Sequence, residues 1–208
     1  MNPRVKVCGI CRGEDAQLAV TLGASAIGFI FWPESPRYCD PGRAQEIAAT
    51  LPGHITTVGV FVDQPVGEVI EIADRVSLGA IQLHGREAVE DFNRVRQPLI
   101  KAVAVTSSFE PDEVDRLPEG VTVLLDAHDP VRRGGTGRTI DWATAAQVAA
   151  RRRTILSGGL HAGNVRDAIA CVHPHMVDVS SGVESAPGVK EAGKLQAFFA
   201  AVAATDMK

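Results

Sequence analysis

Apolar residues fall in short runs along the chain, separated by longer segments of mixed character. Eight runs are rich in β-branched and other apolar residues, the composition typical of buried strands. They cover 4–10, 26–31, 57–62, 80–85, 99–105, 121–126, 154–159 and 176–182. The pattern therefore predicts eight strands.

The segments between these runs are mostly compatible with helices. We predict helices over 14–22, 41–51, 65–77, 86–96, 162–171 and 189–202, and one that begins near Asp141. The fifth connection, 107–120, contains Pro111 and Pro118, so its helix is expected to be short or irregular. Regular alternation of strand and crossover favours a parallel sheet.

Eight units of about 25 residues match a single closed (β/α)₈ barrel, the TIM barrel, at its compact limit. A doubly wound open sheet is the alternative, but it usually has fewer strands, and no early Gly-x-Gly-x-x-Gly marks a dinucleotide site. Because no linker divides the chain, we expect one α/β domain over residues 1–208.

Composition narrows the classes of partner. The chain is 45% hydrophobic with a formal net charge of −4, and its one strongly basic run, 151–153, has no interleaved aromatic residues. A nucleic-acid partner is therefore not expected. No apolar run approaches the ~20 residues of a membrane span, and no signal-peptide pattern opens the chain. The four cysteines suit free thiols, so we expect a cytoplasmic protein that does not bind membranes.

Polar side chains follow several runs at the edge where catalytic residues of barrels collect. Cys8 ends the first run and shares a strand face with Lys6, so its thiol is a candidate base or nucleophile, or else a small buried apolar group. His84 is either a titrating group or a hydrogen-bonded structural histidine. Asp126 either caps a turn or acts as an acid or base. An inward Lys6 needs a partner, and we expect Asp178 or a position near Gln82.

Short motifs of serine and glycine end the last two runs. Ser157-Gly158-Gly159 and Ser180-Ser181-Gly182 permit close backbone approach to an anion, and phosphate binding after strands seven and eight recurs in barrels. The same glycines would also serve as simple turns. The loop 134–137, which contains Gly135, is either flexible surface or a lid. Arg37 either binds a substrate carboxylate or is solvated.

The spacing Cys8-Gly9-Ile10-Cys11 also occurs in thiol redox proteins. Zinc would require a second ligand pair that is not evident, so no metal site is predicted. Redox chemistry is kept as a lesser hypothesis, because eight strand–helix units do not fit a thioredoxin fold.

Taken together, these motifs resemble the phosphoribosylanthranilate isomerase family of tryptophan biosynthesis along nearly the full chain. The matching stretches are 6–10, 28–31, 35–37, 58–61, 82–85, 125–126, 134–137, 157–160, 164–165 and 178–184. The resemblance implies a (β/α)₈ barrel without metal or organic cofactor. It also implies a small-molecule partner, a phosphorylated aminosugar that undergoes an Amadori rearrangement.

By this resemblance, Asp126 is the general acid that opens the ribose ring, and Cys8 is the general base that removes the proton from the adjacent carbon. Arg37 lies near the anthranilate. The other residues expected to bind the substrate are Gly135, Gly158, Gly159, Ser181 and Gly182. Lys6, His84 and Asp178 support the inner barrel. The family commonly has Thr where this chain has Cys11, so we expect that air oxidation can join Cys8 and Cys11 in a disulfide, with oxygen as the electron acceptor, and silence the base.

Other functions stay open at this point. The sister isomerase of histidine biosynthesis has an aspartate at the end of strand one, where this chain has Cys8. A metal-dependent sugar-phosphate epimerase would need more histidine and aspartate ligands at the rim than His84 and Asp126. A non-catalytic phosphate-binding or redox-sensing protein would bind or respond without turnover. The oligomeric state is expected to be monomer or homodimer.

Overall fold

The computed structural model describes residues 3–127 and 141–206. Eight parallel strands close into a barrel in chain order, with the first strand paired to both the second and the eighth. The strands are β1 Arg4–Cys8, β2 Ala26–Ile30, β3 Thr56–Phe61, β4 Ala80–Leu83, β5 Leu99–Val105, β6 Thr122–Ala127, β7 Thr154–Leu156 and β8 Met176–Val179. The predicted fold class and all eight strands are confirmed.

Six α-helices of the described residues surround the strands. They are α1 Gly13–Thr21, α2 Pro41–Ala48, α3 Val66–Val76, α4 Trp142–Ala149, α5 Val165–Val172 and α6 Ala192–Ala203. Their starts follow local chemistry. The Asp40 carboxylate accepts hydrogen bonds from the main-chain N–H groups of Gly42 and Arg43, and Pro41 occupies the first turn of α2.

In the fourth connection, the sequence prediction of a helix over 86–96 is wrong. Only a 3₁₀ helix forms there, at Val89–Phe92. The Glu87 carboxylate accepts the main-chain N–H groups of Asp63 and Gly85 and pairs with Lys101 at 2.8 Å. These long-range contacts fix Glu87 outside a helical turn. The fifth connection is the short 3₁₀ helix Pro111–Arg116, as its prolines indicate.

After the eighth strand the chain forms a 3₁₀ turn, Ser181–Val183, and a small hairpin of β9 Glu184–Ala186 and β10 Val189–Lys190. The predicted helix 189–202 is therefore wrong at its start, since α6 begins at Ala192. The Pro187-Gly188 pair makes the hairpin turn, with Gly188 at φ 77°.

Two apolar cores lie on opposite faces of the strands. One packs strands against helices, and the other fills the barrel with Ala26, Val58, Ala80, Ile100, Leu124, Ile155 and Met176. Nearer the carboxyl ends of the strands, the buried residues are polar: Lys6, Gln82, Asp126 and Asp178. The alternation of the strands thus turns a polar layer toward one end of the interior. Within 3–127 and 141–206, no helix has the length and apolar character needed to cross a membrane.

Candidate active site

A cavity of about 490 Å³ opens at the carboxyl ends of the strands. Its walls carry polar side chains from widely separated parts of the chain, among them Cys8, Arg37, His84, Asp126 and Ser180. Closing the barrel gathers the ends of all eight strands at one mouth. Residues far apart in sequence therefore face a single space, as is usual for catalytic groups in this architecture.

Cys8 ends β1 and is buried beside β2. Its strand neighbour Gly28 leaves room for the thiol, because a Cβ there would lie only 2.9 Å from Cys8 Sγ. Gly9 then turns the chain at φ 72°, and a Cβ on it would lie 2.8 Å from Arg37 Cδ. Burial raises the pKa of the Cys8 thiol, and the positive charge of Lys6 partly opposes that rise.

Lys6 lies inside the barrel with its side chain fully buried. Its Nζ is 3.0 Å from Asp178 Oδ1 on β8, the strand that pairs with β1. Burial opposes the charge on Lys6, but Asp178 and Cys8 outweigh that effect and raise the pKa of Lys6. The partner expected for an inward Lys6 is present, and a protonated lysine faces the thiol.

Asp126 faces the same cavity from the end of β6. Its Oδ1 accepts the main-chain N–H of Ala127 at 2.9 Å, and His84 Nε2 lies 3.3 Å from its Oδ2. Gln82 Nε2 lies 2.9 Å from His84 Nδ1. The imidazole of His84 therefore lies between the side-chain amide of Gln82 and the carboxyl group of Asp126.

The glycine turns after β7 and β8 lie against each other. Gly158 and Gly159 have φ of 84° and 64°, which disfavour other residues. A Cβ on Gly182 would overlap the carbonyl oxygen of Leu160, so the β8 turn packs directly on the β7 turn. Asn164 Nδ2 donates to the Gly159 carbonyl at 2.9 Å and fixes this segment ahead of α5.

Arg37 reaches the cavity wall from the loop after β2. Its Nε and Nη2 donate to the carboxylate of Glu184 at 3.0 and 2.8 Å. The guanidinium is therefore held in a fixed orientation by a protein carboxylate, a partner that the sequence interpretation did not anticipate.

The two cysteines of the Cys-x-x-Cys spacing face different surroundings. Cys8 Sγ lies near Gly28, whereas Cys11 Sγ is within 3.3 Å of the Arg37 carbonyl oxygen. Both are free thiols. Gly135, predicted to bind substrate, lies outside the described residues.

Sequence reasoning assigned no role to Glu184 or Lys190, two buried charged residues at the rim. A usable signal was present, because Pro187-Gly188 between them is a turn pair flanked by opposite charges. Because a helix was predicted over 189–202, this turn pair was not interpreted as part of a hairpin.

The fold and the site define a (β/α)₈-barrel protein with titratable side chains and glycine turns at the carboxyl rim. The N-(5'-phosphoribosyl)anthranilate isomerase family model matches residues 5–201. The chain belongs to this family.

Individual relatives agree over nearly their whole length. The isomerase of Nitrosospira multiformis is 47% identical, covering 97% of each chain. The solved Thermus thermophilus enzyme has a TM-score of 0.88 at 40% identity, covering 97% of this chain and 98% of its own. A further solved isomerase, in complex with reduced 1-(o-carboxyphenylamino)-1-deoxyribulose 5-phosphate, has a TM-score of 0.85 at 38% identity and covers 97% of this chain and 99% of its own.

Proposed function

We propose that the chain converts N-(5'-phosphoribosyl)anthranilate to 1-(2-carboxyphenylamino)-1-deoxyribulose 5-phosphate, with Asp126 as general acid and Cys8 as general base. The isomerase activity and its place in tryptophan biosynthesis follow from the family. The observation that carries the assignment of roles is that the two side chains face one cavity, from β6 and β1.

In the first step, the Asp126 carboxyl group gives its proton to the ribose ring oxygen while the bond from that oxygen to the anomeric carbon breaks. The nitrogen lone pair of the anthranilate forms the carbon–nitrogen double bond of a protonated Schiff base. His84 Nε2 lies 3.3 Å from Asp126 Oδ2, so the imidazole adjoins the carboxyl group on the protein side. A positioned acid of this kind contributes about 10²–10⁴-fold in rate.

In the second step, the Cys8 thiolate removes the proton from the carbon next to the Schiff base. The electrons of that bond form a carbon–carbon double bond, and those of the carbon–nitrogen double bond return to nitrogen, which gives an enolamine. Loss of the enol proton and protonation of the former anomeric carbon then give the ketone. The protonated Lys6, held at 3.0 Å by Asp178, favours the thiolate.

The two anionic ends of the substrate need two separate binding groups. We assign the anthranilate carboxylate to Arg37 and the phosphate to the turns of Gly158, Gly159, Ser181 and Gly182. The ligand of one solved relative, the reduced aminoketose phosphate, carries both a carboxyphenyl group and a phosphate. The cytoplasmic location, the single domain, and the monomer or homodimer state stay predictions.

Turnover of freshly prepared N-(5'-phosphoribosyl)anthranilate, followed by the loss of its fluorescence, tests the proposal in reducing buffer. We expect Cys8→Ser and Asp126→Asn each to lower kcat by about 10²–10⁴-fold, because each removes one proton-transfer group. Both changes nearly preserve volume, so thermal unfolding should stay close to that of the unchanged protein.

The exposed thiol of α5 supplies the control, and Cys171→Ser should retain full turnover. Full activity in Cys8→Ser or Asp126→Asn would remove that residue from its proposed role. If the protein without substitutions binds the substrate but does not convert it, the proposed reaction is wrong.

A further inference from the structure

Lys190 is a buried lysine at the rim of the barrel that the proposed proton transfers do not use. It lies on β10 of the small hairpin, and only 4% of the residue is exposed. Its Nζ donates to the main-chain carbonyl of Cys8 at 2.6 Å, to the carbonyl of Ser180 at 3.3 Å and to Glu184 Oε1 at 2.8 Å. One side chain thus joins the end of β1, the end of β8 and the hairpin.

These contacts indicate a charged ammonium. A protonated lysine has three N–H donors and no acceptor, and Nζ has three oxygen partners. Burial lowers the pKa of Lys190, and the carboxylate of Glu184 opposes that effect. For Glu184, burial acts to raise the pKa, but hydrogen bonds from Arg37 and the charge of Lys190 outweigh it and lower the pKa. The pair is therefore ionised.

The charges around Cys8 do not cancel. Glu184 is shared by two cations, Lys190 at 2.8 Å and Arg37 at 2.8 Å, so this trio carries one net positive charge. The other ion pair facing the thiol, Lys6 with Asp178, is neutral as a unit. The main-chain N–H of Lys190 donates to Asp15, which is itself paired with Arg12.

We propose that Lys190, held by Glu184, is a positioning residue that fixes the main chain of Cys8 and adds to the positive charge of Lys6 that favours its thiolate. Glu184 has a second role in this arrangement. It orients Arg37 toward the cavity, and its negative charge reduces the net positive charge of the trio to one. The proposal rests on the assignment of Cys8 as the general base, but its central quantity, the pKa of the thiol, is measurable without turnover.

Lys190 adds to the effect of Lys6 and does not replace it. The titratable groups facing Cys8 are Lys6 on β1, Asp178 on β8 and Lys190 on β10, and of the two lysines Lys6 has the larger effect. Asp178 opposes what Lys6 provides, whereas the charge of Glu184 is divided between Lys190 and Arg37. A buried cation that shares its counterion with a second cation therefore still favours the charged form of a nearby thiol.

The experiment measures the rate of alkylation of Cys8 by iodoacetamide against pH, with the modified peptide quantified by mass spectrometry. Lys190→Met removes one positive charge, and we expect the pKa of the Cys8 thiol to rise by about one pH unit. Glu184→Gln removes the negative charge, and the pKa should fall by a similar amount. A purely structural role would not give shifts of opposite sign.

Kinetics supply a second readout. Glu184→Gln should raise KM more than it lowers kcat, because Arg37 loses the carboxylate that orients it. Lys190→Arg keeps the charge and should preserve the thiol pKa where Lys190→Met does not. The double variant Lys190→Met with Glu184→Gln leaves Arg37 as the one cation of the trio, so its thiol pKa should lie near that of the unchanged protein.

Two controls separate this effect from general destabilisation. Lys101 also donates to a main-chain carbonyl and a buried carboxylate, at Gly85 and Glu87, so Lys101→Met should leave the thiol pKa unchanged. Exposed Cys171 reports on the reagent in every sample. A folded Lys190→Met protein with an unchanged Cys8 pKa, or shifts of the same sign in Lys190→Met and Glu184→Gln, would overturn the proposal. An inactive protein with the expected shifts would instead contradict the proposed reaction.

Discussion

At the scale of single residues, the reaction needs an unusual pair of protonation states. Asp126 has to hold a proton as the acid, while Cys8 has to lose one as the base. Burial raises the pKa of the Cys8 thiol, and Lys6 and Lys190 lower it only in part. The productive form requires the Cys8 thiolate, which burial disfavours, so the dependence of the rate on pH is informative.

The dependence of the rate on pH should report the Cys8 thiol. In Asp126→Asn the amide carries no acid proton, so the residual kcat/KM should follow the thiolate and rise about tenfold per pH unit until Cys8 is ionised. That plateau should begin above the usual thiol range, because burial raises the pKa of Cys8.

Initial rates over the neutral and alkaline range measure this profile. Cys8→Ser has no thiol to ionise, so its residual kcat/KM should lack the rise. Parallel profiles for Asp126→Asn and Cys8→Ser would contradict the assignment of Cys8 as the base.

At the scale of elements, short runs of β-branched and other apolar residues predicted the strands, because each buried strand is nearly continuous in apolar residues. Alternation of side chains along the first strand placed Lys6 and Cys8 on one face. The helix predicted over 86–96 failed because Glu87 is held by Lys101 and by main-chain groups distant in sequence. Local propensity contains no information about such partners, so the pattern could not show that this segment stays outside a helix.

The turn after β7 offers a test at this scale. Gly158 has φ 84°, and a Cβ on it would lie 2.6 Å from the main-chain nitrogen of Ala127 and 3.1 Å from Asp126 Oδ1. Gly158→Ala should lower the free energy of unfolding by about 1–3 kcal/mol through backbone strain. It should also lower kcat/KM by roughly 10²-fold, because it displaces the carboxyl group of Asp126.

Urea unfolding and steady-state kinetics measure the two effects. Gly53→Ala is the matched control, since no atom lies within 4 Å of a Cβ at that position and its φ is not positive. It should leave both quantities nearly unchanged. A Gly158→Ala protein that is less stable but fully active would show that the turn does not position Asp126.

At the scale of the whole molecule, closure of the barrel explains what the sequence could and could not predict. Alternation and chain order alone predict that Cys8, His84 and Asp126 lie at one rim. They could not show that Glu184 binds Arg37 and Lys190 together, because those contacts depend on how the last hairpin folds back over β1.

Buried thiols also link the stability of the whole molecule to pH. Cys39 is only 2% exposed, and burial raises its pKa to about 12. Unfolding returns the thiol to its ordinary pKa, so its contribution to stability is complete below that value and is lost as pH rises toward 12.

Replacement of this thiol by Cys39→Ala should make stability less sensitive to alkaline pH. When pH is raised from about 8 to about 10.5, the free energy of unfolding should fall by roughly 2 kcal/mol less in Cys39→Ala than in the unchanged protein. Urea titrations at both pH values measure this difference. Exposed Cys171→Ala should lose as much as the unchanged protein, and an equal loss in Cys39→Ala would show that this thiol does not contribute to alkaline unfolding.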